Sequence, residues 1–94
     1  MMYFIYILYS EPGDKYYVGY TDDPYRRLSE HNTNLFNTYT SNYRPWKLKA
    51  VFECSMNRSS AMKIEKFIKK QKSRKLIEML CDPAFIPNGL LSFR

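Results

Sequence analysis

Apolar and polar positions divide this chain into segments with different periods. Tyr3 to Tyr9 is an almost unbroken apolar and aromatic run with Phe4-Ile5-Tyr6-Ile7-Leu8 at its centre, the composition of a buried strand. Ser10-Glu11-Pro12-Gly13-Asp14-Lys15 supplies turn chemistry, and Tyr16-Tyr17-Val18-Gly19-Tyr20 resumes the strand pattern. The pattern predicts a β-hairpin whose loop is longer than two residues. With Tyr9 opposite Tyr16, Tyr6 and Tyr17 become diagonal neighbours on one face of the sheet; a slip of one residue would separate them.

The period then changes. Asp23-Pro24 reads as an N-cap followed by proline at the first helical position, predicting a helix to about His31 or Asn32. On it Arg27 and His31, four apart, share a face, with Leu28 turned to the core. Residues 33–43, rich in Asn, Thr and Ser, read as an exposed loop facing substrate. Lys47 to Cys54 alternates polar and apolar and predicts a third strand. Ser59 or Ser60 is the expected cap of a second helix, from Ala61 to about Lys72. Its core stripe is Ala61, Ile64, Phe67 and Ile68, and its remaining surface carries Lys63, Lys66, Lys69 and Lys70. Ser73 begins a short third helix through Leu80, closed by Asp82-Pro83. In the tail, Pro87-Asn88-Gly89 reads as a turn and Leu90, Leu91 and Phe93 as docking residues.

Ninety-four residues suffice for one modest core, so one domain over residues 1–94 is expected. Charge changes the picture more. Fifteen Lys and Arg against nine Asp and Glu leave +6, and a polyanion is the natural partner because each cation placed on a phosphate releases condensed counterions. A basic but inert surface is the plainer alternative. Cys54 and Cys81 form neither a Cys-x-x-Cys nor a cluster with His, which argues against a zinc or redox motif; buried free thiols in a reducing cytosol are expected. The apolar N-terminal run has no basic leader or small-residue cleavage site and is too short to span a bilayer, so a cytoplasmic protein without membrane contact is expected.

Two strands running into a basic helix place two phenols, a guanidinium and an imidazole near one point, a toolkit for attacking a phosphodiester. The order of short motifs carries this further. Phe4-Ile5-Tyr6 and Tyr17-Val18-Gly19 are followed by Gly19-Tyr20-Thr21, Arg26-Arg27-Leu28-Ser29-Glu30-His31-Asn32, Tyr39-Thr40, Arg44-Pro45-Trp46 and Ser60 through Lys70. This series resembles the GIY-YIG nucleases in their short, stand-alone UvrC-like (URI-type) branch, over roughly residues 2 to 80.

The resemblance implies an α/β domain in which a small three-stranded antiparallel sheet is flanked by helices. It implies a metal-dependent endonuclease that hydrolyses DNA phosphodiesters in repair or in processing of structured DNA, with one divalent ion, Mg²⁺ or Mn²⁺. Carried over position by position, Tyr6, Tyr17, Arg27 and His31 are the catalytic residues and Glu65 the metal ligand. A phenol serves as a base only where positive charge holds its phenolate, for which Arg27, Lys15 or the metal are candidates. Arg27 offers a planar fork to two phosphate oxygens, and Glu65 a hard oxygen to the ion. Lys15, Arg26, Lys63, Lys66, Lys69 and Lys70 are the candidate backbone-binding cations. A homodimer or a partner protein is the expected means of targeting.

Each residue also has a plainer reading. The tyrosines serve equally as sheet aromatics, Arg27 and His31 as a solvated helix face, Glu65 as an i,i+4 partner of Lys69, and the lysines as a solvated surface. A non-catalytic nucleic-acid-binding module with the same fold is the alternative function, and a protein-interaction domain using the aromatic hairpin face is a third. Several positions depart from the family pattern. Phe4 replaces the first motif glycine, Thr38 and Ser41 stand where relatives often carry Lys and Arg, and no asparagine follows Glu65 between Lys66 and Cys81; Asn88 does not align.

Overall fold

The computed structural model describes residues 1–33 and 40–82. Its centre is an antiparallel sheet of three strands, β1 (Tyr3–Ser10), β2 (Lys15–Thr21) and β3 (Trp46–Ser55), in the order β2-β1-β3. The central position of β1 explains its unbroken apolar run. A strand covered on both faces has no side for polar residues, and Ile5, Tyr6, Ile7 and Leu8 are all at most 1% exposed. The flanking β3 keeps the expected alternation, half-buried Leu48, Ala50 and Phe52 interleaving with exposed Lys47, Lys49 and Val51.

Two layers of helix cover the sheet. On one face Ile5, Ile7 and Val18 pack with Ile68 and Leu80, which come from α2 (Arg58–Lys70) and α3 (Arg74–Leu80). On the other, Tyr6, Leu8 and Trp46 pack with Tyr17, Tyr43 and Leu48, and Leu28 of α1 (Pro24–Thr33) closes over them. The fold is therefore the expected α/β arrangement of a three-stranded antiparallel sheet with flanking helices. The hairpin register also stands as read, with Tyr9 opposite Tyr16, Leu8 opposite Tyr17 and Tyr6 opposite Gly19.

Helix boundaries follow their caps. Asp23 accepts the Arg26 N–H at 3.1 Å to start α1, and Ser73 accepts the Leu76 N–H at 3.1 Å to start α3. The second helix corrects the expectation. Asn57, not Ser59 or Ser60, is the cap, its side-chain oxygen accepting the Ser59 N–H at 2.8 Å, so the helix begins at Arg58 and gains a first turn that carries that arginine. It also ends at Lys70, two residues early, because Lys72 takes a left-handed backbone (φ 48°) that breaks the helix before Ser73.

Of the expected exposed loop, residues 34–39 lie outside the described residues, and the last part is corrected. Thr40–Tyr43 forms a single 3-10 turn in which Thr40 is buried, and its carbonyl accepts the Trp46 indole N–H at 2.7 Å. Asn32 then ties α1 to β3, accepting the Trp46 N–H at 2.6 Å and donating to the Trp46 carbonyl at 3.0 Å. Cys54 and Cys81 are free but only partly buried, and burial pushes both thiols up. No helix among the described residues is long and apolar enough to cross a membrane. Thr38, Tyr39, the turn at 87–89 and the docking residues of the tail lie outside the described residues.

Candidate active site

A cavity of about 390 Å³ opens at the β2 edge of the sheet, lined from both α1 and α2. Tyr6, Tyr17 and Gly19 form one wall, Tyr3, Tyr20 and Thr21 extend it, and Arg26, Arg27, Arg58 and Glu65 complete the lining. Period-two alternation accounts for the first wall. Tyr17 and Gly19 stand two apart on β2, Tyr6 lies across from Gly19, and the Tyr6 and Tyr17 rings sit 6.2 Å apart. Gly19 is there because of Tyr6: a Cβ at position 19 would fall 2.5 Å from the Tyr6 hydroxyl oxygen and 2.6 Å from Cζ. The ring crosses the strand through that space.

His31 lies behind the two phenols rather than in the cavity lining. Its Nε2 is 3.0 Å from the Tyr6 hydroxyl and its Nδ1 is 3.0 Å from the Thr40 hydroxyl, so Tyr6, His31 and Thr40 form one buried chain. The Tyr17 ring packs on the imidazole with centroids 4.7 Å apart. Arg44 donates to the His31 carbonyl at 2.7 Å, holding the end of α1. Burial, reinforced by the nearby Arg27 charge, pushes His31 down to about 4, so the imidazole is neutral at pH 7. Burial, then the neighbouring Tyr17, pushes Tyr6 up to about 12 against the opposing pull of Arg27. A phenol in that range is ionised to roughly one part in 10⁵ at pH 7.

The charged groups divide by position. Arg27 is half-buried in the lining and its guanidinium donates to Glu30 at 2.6 Å, which fixes it on the face shared with His31. Arg26 is more exposed and paired with Asp22 at 3.0 Å. Glu65 is largely covered, 16% exposed, and makes both contacts anticipated for it: it lines the cavity, and it pairs with Lys69 at 3.2 Å. The same ammonium stands 5.2 Å from the centre of the Tyr17 ring.

The remaining sequence candidates do not join this cavity. The Lys15 ammonium lies over Tyr43 at 5.3 Å, and Lys15 lines a separate cavity, so it is no neighbour of the phenols. Lys63, Lys66 and Lys70 are exposed on α2 outside the lining. At 3.6 residues per turn, Lys63 and Lys70 stand roughly 160° and 140° around the helix from Glu65. Arg58 and Thr40 were missed. Arg58 lies two turns before Glu65 on the same helix face, a spacing readable once the cap is placed at Asn57; it contacts the Tyr20 hydroxyl at 3.2 Å. Thr40 meets His31 only through the tertiary fold.

The family model of the GIY-YIG catalytic domain matches residues 2–78. The chain belongs to this nuclease family. As a GIY-YIG domain it is 38% identical over 76 residues to the structure-specific endonuclease subunit SLX1 of Meyerozyma guilliermondii, covering 76% of this chain but 26% of that protein. It thus spans about a quarter of that relative's length. A UPF0213 protein of Listeria welshimeri is 40% identical over 80 residues, covering 81% of this chain and 87% of its own. The solution structure of a UPF0213 protein from Bacillus halodurans superimposes with a TM-score of 0.52 at 28% identity, covering 88% and 89% of the two chains. The match to short UPF0213 chains agrees with the stand-alone branch read from the motifs.

A divalent ion is implied by the family, and the donor set bears on it. Among the described residues no group of three or more His, Cys, Asp and Glu side chains is gathered. A single carboxylate on an open cavity suits a hard ion that keeps water and takes phosphate oxygens for the rest of its shell. Glu65 fits that part; a multi-carboxylate cage does not exist here among the described residues.

Proposed function

We propose that this GIY-YIG domain is a divalent-metal-dependent DNA endonuclease, with structured or branched DNA as substrate and DNA repair or processing as its setting. What supports the reading is the convergence of Tyr6, Tyr17, Arg27 and Glu65 on one cavity edged by Arg26 and Arg58. A binding module needs the cations but has no use for a buried phenol hydrogen-bonded to a neutral imidazole. The SLX1 relatives, named as subunits of structure-specific endonucleases, support a structured substrate and a partner protein for targeting.

In this mechanism Arg27 binds non-bridging oxygens of the scissile phosphate and stabilises the charge that accumulates on them. A water molecule attacks phosphorus and passes its proton to the Tyr6 oxygen as the Tyr6 proton moves to Nε2 of His31, 3.0 Å away. The bond from phosphorus to the leaving sugar oxygen breaks, and that oxygen takes a proton from solvent. His31 can accept it because it is neutral at rest and its other nitrogen is held by Thr40; a bound phosphate that engages Arg27 offsets the positive charge that, with burial, lowers its basicity. Tyr17 packs on the imidazole and keeps its plane. Glu65 would hold Mg²⁺ or Mn²⁺, which when bound supplies Lewis-acid charge to the phosphate.

The test is incubation of purified protein with labelled single-stranded, duplex and branched DNA in Mg²⁺, Mn²⁺ or chelator. Metal-dependent cutting that disappears in Glu65→Ala and Arg27→Ala supports the enzyme. Equal cutting by those variants identifies a contaminant, and binding without cutting selects the non-catalytic module.

A further inference from the structure

A second cavity, of about 290 Å³, lies beside α2 and the start of α3, lined by Tyr16, Ile68 and Ile77 together with Asp14, Ser73 and four cations, Lys15, Lys69, Lys72 and Arg74. Tyr16 and Tyr17 are consecutive on β2 and their side chains leave opposite faces of the sheet, so the two cavities sit on either side of the same edge strand. Lys69 connects them. It lines the second cavity while its ammonium reaches Glu65 and the Tyr17 ring in the first. From Glu65 to Lys69 is about 6 Å along the helix axis, a step short enough for neighbouring nucleotides of one strand.

The lining combines two chemistries. Tyr16, Ile68 and Ile77 give an apolar wall, and Arg74 lays its guanidinium over Tyr16 at 5.2 Å, a flat cationic plate held in place by Asp14 at 2.6 Å and Glu78 at 3.3 Å. The one lining carboxylate, Asp14, is thereby neutralised. Lys72 is exposed, and among the described residues its side chain has no hydrogen-bond or ion-pair partner. An apolar and planar surface edged by the available Lys72 ammonium, with Lys69 shared between this cavity and Glu65, is the combination that holds single-stranded nucleic acid, base against the wall and phosphate on the cations. A duplex offers its phosphates but keeps its base faces stacked.

We propose that this cavity is a nucleotide subsite that binds an unpaired nucleotide flanking the scissile phosphate, with Lys69 and Lys72 on its phosphate and Tyr16, Ile77 and Arg74 against its base. The proposal rests on the nuclease reading for the meaning of the scissile phosphate, but the binding it describes is measurable without cleavage. The domain thereby favours a single-stranded segment running from the active-site cavity around the β2 edge.

The experiment measures fluorescence-anisotropy binding in chelator, with a labelled oligothymidine strand and a duplex of equal length, for wild type, Lys72→Glu and Lys49→Glu. Lys49 lies on β3, lines neither of the two cavities, and controls for net charge. Single-strand affinity should fall about tenfold more in Lys72→Glu than in Lys49→Glu, with a salt slope shallower by roughly 0.7, while duplex affinity changes alike in the two variants. Equal losses on single strand in both variants, or equal extra losses on strand and duplex in Lys72→Glu, overturn the subsite. A parallel cleavage assay with Mg²⁺ separates the two readings. A wild type that shows the Lys72 effect but cuts nothing supports the subsite and fails the nuclease; a wild type that cuts but shows no Lys72 effect does the reverse.

Discussion

Replacing Gly19 by alanine perturbs the site through one methyl group. The new Cβ would stand 2.5, 2.6 and 2.7 Å from the Tyr6 hydroxyl oxygen, Cζ and Cε1. Ordinary carbon contacts are about 3.5–4.0 Å, so the ring must retreat by roughly 1 Å. It has little room, being 1% exposed between the β2 backbone and His31. Overpacking of this kind costs about 1–3 kcal/mol, and losing the buried Tyr6–His31 hydrogen bond adds a comparable amount. The lower conformational freedom of alanine in the unfolded chain returns roughly 0.5–1 kcal/mol. A net loss of about 1–5 kcal/mol follows. In urea, with a slope of about 1–2 kcal/mol/M, the midpoint should drop by roughly 1 M or more. Cleavage should fall about 100-fold, since an error of 1 Å in a reacting group costs on that order. The control is the same substitution in a Tyr6→Ala background, where the obstructing ring is gone and Gly19→Ala should be neutral or slightly stabilising. Equal destabilisation in both backgrounds refutes the reasoning, as does a Gly19→Ala protein of wild-type stability and rate.

Stability should fall as pH drops from about 6.5 to about 4. His31 takes up its proton less readily folded than unfolded, so the unfolded chain binds more protons in that window; the cost is on the order of 3 kcal/mol. Urea midpoints measured across this range should slope downward in the wild type and flatten in His31→Gln, and equal slopes would remove the argument. Glu65→Gln should abolish cleavage and weaken Mn²⁺ binding by calorimetry while changing stability by no more than about 1 kcal/mol, because its ion pair with Lys69 reaches solvent; unaltered Mn²⁺ binding would place the ion elsewhere. Asn32→Ala should cost about 1–3 kcal/mol in thermal or urea unfolding, because the Trp46 N–H and carbonyl lose the side chain that satisfies both. A variant as stable as wild type would show that another group takes over those bonds.

Local chemistry made much of the fold legible. The hairpin register follows from where the turn residues stop and the aromatic run resumes, and Asp23 and Ser73 cap their helices as their side chains predict. The second helix was harder because the expected caps, Ser59 and Ser60, fall inside its first turn, while Asn57 just before them has the extended backbone that a cap needs. Its phase around the axis decides which cations matter. The apolar stripe turns Ala61 and Ile68 to the sheet, which carries Arg58 and Glu65 to the cavity and leaves Lys63 and Lys70 on the outer side. That much follows from 100° steps once the start is known. The Thr40 contact with His31, the Trp46 clamp by Asn32 and the removal of Lys15 from the site do not. They depend on how Thr40–Tyr43 packs against α1 and the start of β3, where no periodic pattern specifies the packing.

The central claim is that the Tyr6 hydroxyl, coupled to His31, transfers a proton during phosphodiester hydrolysis. Single-turnover cleavage of a labelled branched DNA by Tyr6→Phe in Mg²⁺ tests it most directly, alongside DNA affinity in chelator. The account predicts a rate at least about 100-fold below wild type with affinity unchanged. A Tyr6→Phe protein that binds and cuts at the wild-type rate would contradict it.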